Sequence, residues 1–203
     1  NLRKAIELFE KSRNIFPEDS TDYAGALVGE GNARLGLAEM GIDAEDNLRK
    51  AIELFEKSRN IFPEDSMYYA RALVDEGVAR LGLAEMGIDA EENLRKAIEL
   101  FEKSRNIFPE DSTDYAGALV GEGNARLELA KMGIDAEDNF GKAIELFEKS
   151  RNIFPEDSTD YGIALMGEGN ARLGLAEMGI DAEENLRKAI ELFEKSRNIF
   201  PED

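Results

Sequence analysis

Apolar residues stand three or four apart at Ala44, Leu48, Ala51, Ile52 and Phe55, with Phe62 closing the series. Arg49, Lys50, Glu53, Glu56 and Lys57 fill the gaps. The spacing predicts an amphipathic helix packed on one side, over residues 44–62, with Glu53 and Lys57 placed as an i,i+4 pair. Pro63 cannot continue the helix and biases Phe62 out of helical geometry. A second helical stretch is predicted over residues 21–40, after the turn Pro17-Glu18-Asp19-Ser20, and Gly41 suits the left-handed residue just past its end. Asp43, with Asp46 three residues on, predicts a capping box for the helix that follows.

The same pattern returns every 46 residues. Ala5, Phe9 and Pro17 are matched by Ala51, Phe55 and Pro63, then by Ala97, Phe101 and Pro109. Two further copies follow at Ala143, Phe147, Pro155 and at Ala189, Phe193, Pro201. The units are 1–46, 47–92, 93–138, 139–184 and a terminal half-unit, 185–203. One unit cannot bury its apolar face without neighbours, so a fixed period of this size implies stacked repeats. With the longer helix of each unit called A and the other B, the expected order is one B helix followed by four A–B pairs, nine helices in all. Short connections make neighbouring helices antiparallel. The expected architecture is a single all-α repeat domain, an α-solenoid of antiparallel helix pairs over residues 1–203.

The spacing Ala51-x3-Phe55-x7-Pro63 resembles the second helix of a tetratricopeptide (TPR) repeat, and Leu27-x3-Gly31-Asn32-Ala33 resembles the first. The resemblance covers the whole chain. It departs from the family in unit length, 46 residues in place of 34, and in Glu30 and Arg34, which stand where the family pattern has Leu and Tyr. HEAT and armadillo repeats fit the unit length better but do not explain the Ala–Phe–Pro spacing. The resemblance implies a right-handed TPR-like superhelix with A helices lining a concave, ligand-binding side. Chaperone-binding members of the family grip a peptide carboxylate with Lys and Asn. Asn32, Asn124 and Asn170 match the Asn position, but Val28 and Gly36 occupy the Lys positions, so that clamp is not present as a set.

Comparing the units with one another locates their differences. Twelve positions vary, and nine of them lie in helix A. At about 100° per residue these nine fall on one arc of roughly 160°. The opposite arc is invariant: Tyr23, Ala26, Leu27, Glu30, Gly31, Ala33, Arg34, Leu37 and Ala38. Drift by exposure alone would also alter the polar face of helix B, which is nearly constant. The variable arc is therefore the candidate binding surface. Its residues are Asn32, then Tyr68, Arg71, Asp75 and Val78, then Asn124, Glu128 and Lys131, then Ile163, Met166 and Asn170.

On the invariant arc, Glu30 and Arg34 sit one turn apart among expected core residues. A buried charge needs a partner. The expectation is a ladder of structural ion pairs, Glu30–Arg34, Glu76–Arg80, Glu122–Arg126 and Glu168–Arg172, that fixes repeat register. Gly25, Gly29, Gly31 and Gly36 would each cost about 1 kcal/mol in a helix interior. They suggest that A helices approach one another closely, with close approach of a ligand's backbone as the alternative.

Composition narrows the functional classes. The net charge of −19 is spread evenly, −5, −4, −4 and −6 over the four units and 0 over the last. Such a field repels phosphate backbones and anionic lipid surfaces, which argues against nucleic acid or a membrane as partner. With no Cys and no His, thiol and imidazole chemistry and the metal sites they build are absent, and no catalytic residue, metal site or cofactor is expected. No apolar run reaches membrane-spanning length, and no signal peptide is visible, so cytoplasmic is the default compartment. The chain begins inside a repeat, which suggests a piece of a longer protein. The first functional reading is a non-enzymatic scaffold that binds a peptide or protein segment along the concave face of its A helices. The alternatives are a self-assembling structural solenoid, associating through exposed ends, and a consensus-like or designed array without a specific ligand.

Overall fold

The computed structural model describes residues 1–200, and these form nine α-helices and no strand. The chain divides into two compact units, Asn1–Ile107 and Phe108–Asp203. The first contains α1 (Leu2–Arg13), α2 (Thr21–Glu39), α3 (Ala44–Arg59), α4 (Met67–Glu85) and α5 (Ala90–Arg105). The second contains α6 (Thr113–Lys131), α7 (Ala136–Arg151), α8 (Thr159–Glu177) and α9 (Ala182–Arg197). The A helices are α2, α4, α6 and α8. Within each unit, helices that follow one another in sequence pack together.

The helix boundaries have local causes. Ser20 begins α2: its Oγ accepts from Tyr23 N at 3.1 Å and donates to Pro17 O at 2.7 Å. Ser66, Ser112 and Ser158 cap the other A helices in the same way. At the far end Gly41 has φ +71°, with Gly41 N bonded to Ala38 O and Ile42 N to Leu37 O. This pair of bonds is a Schellman motif, which needs the left-handed conformation that glycine adopts without strain. Helix B ends at Arg59, three residues before the expected Phe62, because Ser58 O takes the amides of both Ile61 and Phe62.

The predicted capping box does not form. Asp43 has φ +43°, and its side chain makes no cap hydrogen bond. The turn is held instead by Asn47, which is buried: its Nδ2 donates to Ile42 O at 2.9 Å, and its Oδ1 accepts from Arg34 Nη1 at 3.4 Å. Asn93, Asn139 and Asn185 repeat the bond to the turn carbonyl. Lys57, expected to pair with Glu53, donates instead to Tyr23 Oη at 2.7 Å and lies over that ring.

In the first unit, one core cluster joins Leu48, Ala51, Ile52 and Phe55 of α3 to Ala79 and Leu83 of α4. In the second, Phe140, Ala143, Ile144 and Phe147 of α7 meet Ala171 and Leu175 of α8. Glycines make room for the aromatic rings. A β-carbon built at Gly31 would lie 2.5 Å from the Phe55 ring, and one at Gly123 would lie 2.9 Å from Phe147. The space these glycines leave is thus taken by B-helix rings, while the A helices within each unit, α2 with α4 and α6 with α8, also come into contact. The reason is volume: a fully buried phenylalanine can sit against a helix backbone only where no side chain intervenes.

Candidate interaction face

Two opposite sides of the A helices carry different chemistry. The invariant side is buried and ionic. Glu30 is 2% exposed and receives Arg34 Nη2 at 2.7 Å from its own helix. A second guanidinium comes from the preceding B helix, with Arg13 Nη2 at 2.7 Å from Glu30 Oε2. The Arg59–Glu76 and Arg151–Glu168 pairs repeat this inter-helix contact. Arg80 also reaches Glu56 at 3.0 Å, and Arg172 reaches Glu148 at 2.7 Å. Glu122 and Arg126 lie 2.7 Å apart. Helices α2, α4 and α8 are therefore each joined to the B helix before them by ion pairs to their buried glutamate. The B-helix arginines carry no signal in the sequence beyond their repetition, since an exposed-looking Arg at a helix C-terminus already suits the helix dipole.

The variable side is where the candidate residues lie. In the first unit, Tyr68, Arg71, Asp75 and Val78 form one stripe along α4, spaced by three or four residues. Tyr68 is 64% exposed and stacks on Phe62, with ring centroids 5.6 Å apart. Arg71 and Val78 are exposed, and Asp75 is half-buried. Asp75 stands where α2, α6 and α8 have glycine. Burial raises its pKa from 3.8 to about 6, against the opposing pull of a hydrogen bond from Asn32 and the charge of Arg71. The structure thus brings Asn32, Arg71 and Asp75 into one polar cluster across α2 and α4.

In the second unit, Ile163 and Met166 are 39% and 43% exposed on α8. Asn124 and Glu128 are half-buried on α6, and Lys131 is exposed and bonded to Glu128 at 2.6 Å. Lys131 and Asn170 meet along a cleft of about 720 Å³ whose other walls include Phe140, Gly174 and Met178. Phe140 replaces the leucine found at this position in the other B helices. Leu2, Leu48 and Phe140 stand against Gly36, Gly82 and Gly174 respectively. No cluster of residues fit to hold a metal ion occurs among the described residues, and no described helix is long and apolar enough to cross a membrane.

This arrangement, helix pairs bound by a buried ionic side with an exposed and irregular opposite side, defines an all-α repeat solenoid of the TPR-like class. The Sel1 repeat family matches residues 1–14, 29–60, 76–106, 125–152 and 167–198. These segments make up more than half of the chain, and the chain belongs to the Sel1 repeat family. Among solved structures it is similar to a protein of Podosopora anserina described as a kinesin light chain with nearly identical TPR-like repeats. That likeness has a TM-score of 0.63 at 16% identity, over 98% of this chain and 86% of the other. A point variant of the same protein gives 0.66 over the same shares, again at 16% identity. These likenesses bear on the fold. No curated protein sequence matches the chain. Sel1 and TPR-like repeats are in general non-catalytic scaffolds that mediate protein–protein interaction.

The matched segments also sort the residues. Glu30, Arg34, Glu76, Arg80, Arg126, Glu168 and Arg172 fall inside them, as do Asn32, Val78, Glu128, Lys131 and Asn170. Tyr68, Arg71, Asp75, Asn124, Ile163 and Met166 fall between them. Most of the ionic side therefore lies within the matched segments, while six of the eleven candidate-face residues lie outside them.

Proposed function

We propose that the chain is a non-catalytic scaffold that holds a peptide or protein segment against the variable arc of its A helices. In proteins of the TPR-like class this side lines the concave surface. The observation that carries the reading is the placement of the differences between otherwise near-identical repeats. They put an exposed aromatic ring, a charge pair and three apolar side chains (Val78, Ile163, Met166) on surfaces that the packing of the helices does not require. Exposed Tyr and Arg are the residue types that most often dominate binding energy at interfaces. The mix of Tyr68 and Arg71 with a half-buried Asp75 suits a segment offering both an apolar and a basic side chain.

The test is selection of a displayed random-peptide library on the immobilised protein, repeated on the Tyr68→Ala/Arg71→Ala/Asp75→Ala variant. Sequences enriched on the wild type and lost on the variant, with the variant's melting temperature within a few degrees of the parent, support the reading. Equal enrichment on both proteins, or none on either, contradicts it.

A further inference from the structure

We propose that Asp75 is the specificity-determining residue of the variable arc: it takes the Lys or Arg side chain of a basic partner segment and releases it on mild acidification. The inference rests on the scaffold reading above and adds the residue that selects the partner and a condition that frees it. Sequence position is the first observation. The other three A helices carry glycine here, at Gly29, Gly121 and Gly167. At least two of these glycines serve packing, since a β-carbon at Gly29 would collide with the Phe9 ring and one at Gly167 with the Phe147 ring. Helix α4 thus places a carboxylate where the repeat otherwise keeps room for a ring. Departures of this kind, made without a packing gain, concentrate at functional positions.

The surroundings of Asp75 are the second observation. It is half-buried, and its charge is favoured by a hydrogen bond from Asn32 of α2 and by Arg71, one turn back on its own helix. From α3 the repeat presents an apolar group, Phe55, which corresponds to Phe9 and Phe147. Burial outweighs both favourable groups and raises the carboxyl's pKa to about 6. The ionised carboxylate is therefore under-compensated, and a further cation is the group that relieves it. Arg71 is exposed, and an ion pair made at such a position is weak enough to exchange.

The stripe around Asp75 sets the spacing of the partner. Tyr68 is 64% exposed and stands seven residues earlier, about 10 Å along the helix. An extended segment covers that distance in about three residues. The segment that fits carries an apolar residue for Tyr68 and a Lys or Arg about three positions away. The net charge of −19 draws such a segment in. The partner's cation favours the ionised carboxylate, so affinity is full above pH 6, and below it binding must expel a proton. At pH 5 about a tenth of the molecules are ionised at Asp75, and affinity falls about tenfold. The chain has no His, so no imidazole titrates over the same range.

The experiment pans a displayed random-peptide library at pH 7.5 on the full chain and on its Asp75→Gly variant. That substitution restores the residue of the other A helices, and an unchanged or raised melting temperature confirms that the fold is intact. The wild type is expected to enrich sequences with a Lys or Arg about three positions from an apolar residue. Asp75→Gly should enrich the apolar residue without the basic one. A wild-type peptide free of Asp, Glu and His is then labelled and titrated by fluorescence anisotropy. It should bind the wild type about tenfold more weakly at pH 5.0 than at pH 7.5, and should bind Asp75→Gly weakly and equally at both. Enrichment on the wild type without Lys or Arg, a basic preference kept by Asp75→Gly, or an affinity that ignores pH overturns this inference and leaves the scaffold reading standing. Absence of any enrichment on the wild type overturns both.

Discussion

A methyl group added at Gly117 would meet nothing within 4 Å, whereas one added at Gly123 would lie 2.9 Å from the ring of Phe147. The two glycines stand less than two turns apart on α6 and serve opposite ends. Gly117→Ala should raise stability by about 1 kcal/mol through helix propensity alone. Gly123→Ala should lower it by roughly 1–3 kcal/mol, since Phe147 is fully buried and wedged against Gly167 on its other side. Urea denaturation of the two variants separates these outcomes. Asp75 is the second residue whose behaviour can be foreseen. Below pH 3.8 its carboxyl is neutral whether the chain is folded or not. Above that pH the unfolded chain ionises first, because burial holds the folded pKa near 6. The stability that Asp75 contributes is therefore lost as pH rises through about 6. Subtracting the denaturation free energy of Asp75→Asn from that of the wild type, across pH 3.5 to 7.5, should give a curve that falls over this window and is level on either side. A flat difference would show that Asp75 is hydrated in solution.

At the scale of the helix, the repeat is a buried carboxylate held from two sides. Glu168 receives Arg172 from its own helix and Arg151 from the one before, which ties helix formation to helix packing. Removing one partner leaves the other charge under-compensated in the interior. Arg151→Met should cost about 3 kcal/mol, and an unchanged melting temperature would mean that the pair contributes nothing. Much of this level was legible in the sequence. Helical spacing, Pro63 and Gly41 placed each element to within a few residues, and the proximity of Glu30 and Arg34 followed from one turn of helix. What escaped had physical reasons. Asp43 was read as a cap because Asp commonly caps helices, but its left-handed backbone turns the carboxylate aside and leaves Asn47 to hold the turn. Ser20 caps α2 at a position that the sequence also marks, directly after a proline turn. The inter-helix arginines and the Lys57–Tyr23 bond depend on how neighbouring helices rotate against each other, which periodicity within one helix does not encode.

At the scale of the whole chain, near-identical repeats leave few ways to distinguish one surface from another. The units differ chiefly along the variable arc, and six of its eleven candidate residues lie outside the segments that match the Sel1 family. The buried Glu–Arg side gives the repeats a common way of packing, while the arc mixes positions held against a neighbouring helix, such as Gly29 against Phe9 and Gly36 against Leu2, with exposed ones such as Tyr68, Val78 and Ile163. The even charge of −19 adds self-repulsion between copies. The proposed scaffold role predicts that the chain takes up other molecules on its variable arc without associating with further copies of itself. The measurement that tests this most directly is molar mass by light scattering over a hundredfold range of concentration. The account predicts a constant value of 22.6 kDa. A mass that climbs with concentration would contradict it and would make self-association through the exposed helical faces the function to pursue.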